Sequence, residues 1–144
     1  MRILGIDYGD TRTGLAISDP EEKMAFTIGT VVAKDIDTAA RLTAEKAGTY
    51  PVEKIVLGLP KNMDGSEGFR AEKTRKFAAA LQCRFPSVPI EFSDERLTTV
   101  AASYYLNETN TRGKKRKQNI DTLSAQIILQ NYLDQAKNKA QRDR

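Results

Sequence analysis

Residues 53–59, EKIVLGL, constrain the fold of this chain more than any other stretch. Ile55, Val56 and Leu57 follow one another without a polar residue between them, and so short a run rich in β-branched residues reads as a strand. A strand that is apolar on both faces belongs in a sheet covered on both sides. The rest of the chain supplies the partners. Residues 2–8 and 13–19 read as two strands joined by a short turn between Gly9 and Gly14, and residues 24–33 alternate as a third. A helix is expected over 36–49, with Asp35 as its N-cap, and a turn-rich loop from Pro60 to Gly68. A second helix is expected from about Ser66 to Arg84, with Phe69, Phe77 and Leu81 at helical spacing on its buried side, and a fifth strand over 88–93. Leu97, Val100, Ala101 and Tyr104 mark a short helix, residues 108–118 a polar basic loop, and 119–137 a last helix with Ile120, Leu123, Ile127 and Ile128 on its core stripe. The order βββαβαβαα gives an α/β fold, a mixed five-stranded sheet with helices on both faces. Residues 1–137 form one domain, and 138–144 a frayed basic tail.

Asp7 breaks the pattern. It follows Ile3, Leu4 and Ile6 where another apolar residue would continue the strand. A buried carboxylate is costly unless something compensates its charge. Acids recur at similar ends elsewhere: Asp94 and Glu95 after VPIEF, and Asp121 at the start of the last helix. A capping role would explain any one of them. Three carboxylates from distant elements point instead to a hard cation, because neighbouring carboxylates repel unless a cation neutralises them. Ligands in parallel α/β sheets gather at the carboxyl ends of strands, where Asp7, the GLPKN segment and the SDER segment all fall. Of the adjacent pair, Asp94 is expected to be structural and Glu95 the ligand. Magnesium or manganese, one or two ions, suits oxygen donors that share a site with phosphate.

Composition narrows the chemistry further. The chain of 144 residues has no histidine and a single cysteine, Cys83. Histidine bases, Ser-His-Asp triads and Cys/His zinc sites are therefore excluded, and carboxylates, lysine, tyrosine and hydroxyls remain. The net charge is +4, and its distribution matters more than its size. Arg112, Lys114, Lys115, Arg116 and Lys117 crowd one segment just before Asp121, a position suited to holding phosphate. Arg12, in the first turn near Asp7, together with Lys61 and Arg96, are further candidates for the same role. No apolar run is long enough to span a membrane and the N-terminus reads as a strand, so the expected location is the cytoplasm.

GIDYGDTRTGLAISD, GLPKNMDGSEG, DERLTT and NIDTLSAQIILQNYLD, in this order, resemble the YqgF family of pre-16S rRNA nucleases. That family is similar to RuvC Holliday-junction resolvases and has the RNase H-like fold. The resemblance runs from Arg2 to Asp134 and implies catalytic, metal-binding acids at Asp7, Glu95 and Asp121. It also implies an RNA partner, the 5′ end of the 16S rRNA precursor, with structured DNA as another substrate and a monomer or weak dimer as the working form. One departure stands out. Resolvases carry an acid at the end of the fourth strand, whereas here that strand ends in GLPKN and the next acid is Asp64. Glu95 would take its place. Two other readings stay open on the sequence, a non-catalytic nucleic-acid-binding factor in transcription or ribosome assembly and a resolvase-like DNA nuclease. The first phosphate loop of sugar-kinase ATPases shares the IDYG motif, but a chain of this length has no room for their second lobe.

Overall fold

A computed structural model describes residues 2–94 and 113–142, with the side chains of the last helix described over 123–139. The elements run β1 (Arg2–Asp7), β2 (Arg12–Ser18), β3 (Ala25–Val32), α1 (Ile36–Ala47), β4 (Val52–Leu59), α2 (Phe69–Arg84), β5 (Ile90–Asp94) and α3 (Gly113–Arg142). The strands form one sheet in the order β3-β2-β1-β4-β5. β1–β2 and β2–β3 are antiparallel, and β1–β4 and β4–β5 are parallel. The opening meander therefore lies on one side of β1 and the helix-connected strands on the other.

The EKIVLGL strand sits inside this sheet. Ile55 and Leu57 join Leu4, Ile6, Leu15 and Ile17 in a core beneath α1 and α2, where Phe77 and Leu81 are fully buried. Val56 points the opposite way and packs with Ile3, Ala16 and Ala25 against Ala125, Ile128, Leu129 and Leu133 of α3. Each large side chain so buried contributes roughly 1.5–3 kcal/mol. The sheet is covered on both faces, as the double-sided run requires.

Helix α1 starts where expected, because the Asp35 carboxylate accepts a hydrogen bond from the Thr38 backbone N–H at 2.9 Å. Small residues let α3 settle close to the sheet. A Cβ on Gly5 would lie 2.7 Å from Leu129 Cβ and 3.2 Å from the Ala125 carbonyl oxygen. Two glutamines then tie α3 to the start of β3. Gln126 Nε2 donates to the Ala25 carbonyl at 3.0 Å, and the Ala25 N–H donates to Gln130 Oε1 at 2.9 Å. Lys54 Nζ donates to Tyr132 Oη at 2.7 Å near the other end of the contact.

Several sequence expectations need correction. The last helix begins at Gly113, so Lys114, Lys115, Arg116 and Lys117 lie in its first turns and not in a loop. Lysine, arginine and glutamine are good helix formers, and nothing after Gly113 breaks the run. The helix also continues to Arg142 for the same reason. Among its described side chains Ser124, Ala125, Ile128, Leu129 and Leu133 are buried and Leu123 and Ile127 only half-buried, and the Ile120 side chain lies outside them. Helix α2 starts at Phe69, not Ser66, because Ser66 is engaged by Asn62 and Asp64 in the preceding loop. Phe69 is therefore 70% exposed and does not join Phe77 and Leu81 in the core. The short helix expected around Leu97–Tyr104 lies outside the described residues. Among the described residues, no helix is long and apolar enough to cross a membrane.

Candidate active site

The parallel strands β1, β4 and β5 end together, at Asp7, Leu59 and Asp94. Alternation along β1 decides which way Asp7 faces. Leu4 and Ile6 enter the core beneath α1 and α2, so Ile3, Gly5 and Asp7 share the face covered by α3. Asp7 is half-buried at the rim of the sheet. It sits opposite Gly14 across the antiparallel pair. On its other side Ile6 is level with Leu57, which brings Gly58 beside Asp7. The residues level with it on both neighbouring strands are therefore glycines. The turn that follows is tight, since a Cβ on Gly9 would come within 2.3 Å of the Arg12 carbonyl oxygen.

Arg12 opens β2 on the same face, two residues from Gly14 and diagonal to Asp7. Its Nη1 is buried and meets no hydrogen-bond acceptor among the described residues. A buried guanidinium N–H is costly to leave unsatisfied, and a phosphate oxygen is the acceptor that best matches it. Lys61 is half-buried in the loop after β4, two residues beyond the strand end, and its charge helps hold the Glu67 carboxyl low, behind the larger effect of the Arg75 hydrogen bond.

On β5, Glu91 pairs with Lys54 at 3.3 Å, and Lys54 reaches Tyr132 on α3. Glu91 and Ser93 thus belong to the α3 face. Asp94 falls on the opposite face with Ile90 and Phe92, away from Asp7. Glu95 and Arg96, and Arg112 before α3, lie outside the described residues.

Helix α3 runs antiparallel to β1. Tyr132 and Leu133 lie near Ile3 and Lys54, and Leu129 and Ala125 lie over Gly5. Four residues earlier, about 6 Å along the helix, is Asp121. Two residues beyond Gly5, about 6.6 Å along the strand, is Asp7. The helical register thus carries the Asp121 backbone toward the level of Asp7 on the same side of the sheet. Lys114–Lys117 occupy the two turns before it. Among the described residues no three acids converge as a metal cluster, Glu95 and the Asp121 side chain not being among them.

The donor set fits a hard cation. A half-buried carboxylate stands between two glycines, and neither histidine nor cysteine is at hand to favour a softer metal.

Sequence reasoning missed the contacts that hold the other side of the turn. Lys73 Nζ of α2 pairs with Asp10 Oδ1 at 3.2 Å, and Tyr8 stacks on Phe77 with ring centroids 4.6 Å apart. Burial raises the Tyr8 hydroxyl pKa, and the Asp10 and Asp35 carboxylates add to the effect, so this tyrosine stays protonated. Nothing in the local pattern links residue 10 to residue 73.

Residues 1–135 match the RuvX family, described as Holliday junction resolvase. The chain belongs to the RuvX family. Curated relatives of this RuvX chain carry the name "Putative pre-16S rRNA nuclease". The protein from Acetivibrio thermocellus is 43% identical over 135 residues, covering 93% of this chain and 96% of its own. That from Caldanaerobacter subterraneus subsp. tengcongensis is 46% identical over 140 residues, covering 96% and 99%. Among solved structures, Thermus thermophilus RuvC in complex with a Holliday junction substrate superposes with a TM-score of 0.61 at 16% identity, covering 94% of this chain and 96% of that one. The Fowlpox virus resolvase bound to Holliday junction DNA gives a TM-score of 0.56 at 13% identity, covering 94% and 99%. These likenesses establish for this RuvX protein the mixed RNase H-like sheet that the YqgF resemblance implies.

Proposed function

We propose that this RuvX protein is a divalent-metal-dependent nuclease that hydrolyses phosphodiester bonds in RNA, acting in the cytoplasm on the 5′ end of the 16S rRNA precursor. The single observation that carries the reading is the placement of Asp7. It is a half-buried carboxylate at a carboxyl strand end, between two glycines and under the helix that bears Asp121. Membership of RuvX and the name shared by the relatives point the same way. Asp7, Glu95 and Asp121 are the acids that would hold magnesium or manganese. When bound, such ions supply an activated water and stabilise charge on the leaving oxygen. Arg12 would take a substrate phosphate oxygen on its buried Nη1, which fixes the strand beside Asp7. Lys61, Arg96, Arg112 and Lys114–Lys117 would hold the flanking backbone. The protein acts as a monomer or weak dimer.

The test is cleavage of a precursor-leader RNA by wild type and Asp7→Asn. Wild type should cleave with magnesium or manganese and stop in excess chelator. Calcium should bind without supporting cleavage, because it prefers more ligands at longer distances. Asp7→Asn should lose activity by orders of magnitude and keep its melting temperature. Wild-type rates for the variant, or full activity in chelator, would overturn the metal-site reading, and no cleavage by wild type with either metal would make the protein a non-catalytic nucleic-acid-binding factor. Cleavage of four-way DNA junctions in preference to RNA would assign it to DNA instead.

A further inference from the structure

Phe69 stands 70% exposed at the first position of α2, and the loop that delivers it is a built structure. The Asn62 N–H donates to the Ser66 carbonyl at 2.8 Å, and the Gly65 N–H donates to the Asn62 carbonyl at 2.8 Å. The Asp64 carboxylate accepts from both the N–H and the hydroxyl of Ser66, at 2.9 and 2.6 Å. Gly65 adopts φ 89°, which only glycine reaches at little cost. The exposure of the ring is therefore not the slack of a loose segment. Lys73 Nζ lies 4.7 Å from the ring centroid and is at the same time pinned to Asp10, three residues beyond Asp7. The clamp fixes the ring relative to the carboxylate edge. The acids that flank it in sequence, Glu67 and Glu72, are each neutralised by a basic partner. Two nitrogens of Arg75, Nε and Nη2, engage Glu67 at 2.8 and 3.0 Å, and Glu72 pairs with Lys76.

We infer that Phe69 is a stacking platform for an unpaired base of the RNA strand whose backbone passes the carboxylate edge. The inference rests on the nuclease reading above and adds a preference to it: the substrate is single-stranded beside the scissile bond. An aromatic face offers every base a partner, so the platform selects for lack of pairing and not for sequence. The Lys73 ammonium over the ring strengthens this role, since it holds the ring in place. A protein partner would want a continuous apolar patch, whereas this ring lies against a charged group, the Lys73–Asp10 pair.

The experiment measures binding in chelator, so that cleavage does not intervene, of a labelled single-stranded oligoribonucleotide and of a blunt duplex of the same sequence. Phe69→Ala should weaken single-strand binding about tenfold and change duplex binding little. Phe69→Trp should restore wild-type affinity or exceed it, and Phe69→Leu should behave like Phe69→Ala, which separates stacking from simple apolar contact. A 2-aminopurine in the single strand should be quenched by wild type and not by Phe69→Ala. Equal affinity of Phe69→Ala and wild type for the single strand, or an equal loss on both RNAs, overturns the inference. If wild type cleaves RNA yet does not bind the single strand, this inference falls and the nuclease reading stands. If it neither binds nor cleaves, both fall together.

Discussion

Asp7 and Asp35 place one residue type in two settings. Asp35 is solvent-exposed, and its carboxylate is held below the usual range, first by the backbone N–H of Thr38 and then by the Thr38 hydroxyl. It is a cap and needs no cation. Because the folded pKa is depressed, its contribution to stability is present above the unfolded value of 3.8 and disappears as pH falls through the lower folded value. Asp35→Ala should therefore lower the melting temperature by a few degrees at neutral pH. The gap from wild type should close in acid below that range, where the wild-type carboxyl is protonated too. Thermal melts of both proteins across pH measure this, and a gap unchanged in acid would mean that the aspartate acts by something other than its charge. Asp7, by contrast, stands half-buried at a strand end between glycines.

At the scale of elements, the contact that matters most is α3 on β1. It depends on Gly5, where a Cβ would meet Leu129 Cβ at 2.7 Å and a backbone carbonyl at 3.2 Å. Backbone cannot swing aside as a flexible side chain can. Gly5→Ala should push α3 outward, destabilise the fold by about 1–3 kcal/mol and reduce cleavage beyond what the loss of folded protein explains. The second effect follows because α3 also carries Asp121. Denaturant melts beside cleavage rates normalised to folded protein would show it. Full activity per folded molecule would mean that the height of α3 above the sheet does not matter to the chemistry. The same helix has no acid in its first turn and begins with four basic residues in a row. Cations at a helix N-terminus oppose its dipole, so their presence there works against the helix itself. They make sense as a reserve of positive charge for phosphate, next to a helix end that already attracts anions.

Over the whole molecule, a net charge of +4 is modest, and affinity for RNA depends on where the charge is placed. Replacing Lys114, Lys115, Arg116 and Lys117 with alanine keeps helix-forming residues in place while removing the charge. The variant should bind unrelated RNAs about equally more weakly. Its plot of log affinity against log salt should flatten by roughly 0.7 for each single-strand phosphate that the variant no longer neutralises. An unchanged slope would return these residues to a solvated helix end, and a weakening confined to one RNA would mean that they read sequence or shape. The sequence by itself determined the five strands, the first two helices and the last one, though not where the last begins, because period and apolar runs are local: EKIVLGL announces a doubly covered strand, and Asp7 announces itself as a carboxylate where an apolar residue is due. It also removed histidine and cysteine chemistry by simple absence. Only the tertiary structure decided that Asp94 faces away from Asp7, that Gly14 and Gly58 flank that carboxylate, that α3 runs back along β1 toward it, and that Lys73 ties Phe69 to the turn after it. Those facts depend on strand order, register and the height of a helix above a sheet. Each is set by residues far apart in the chain, whose encounter leaves no trace in the pattern of either segment alone.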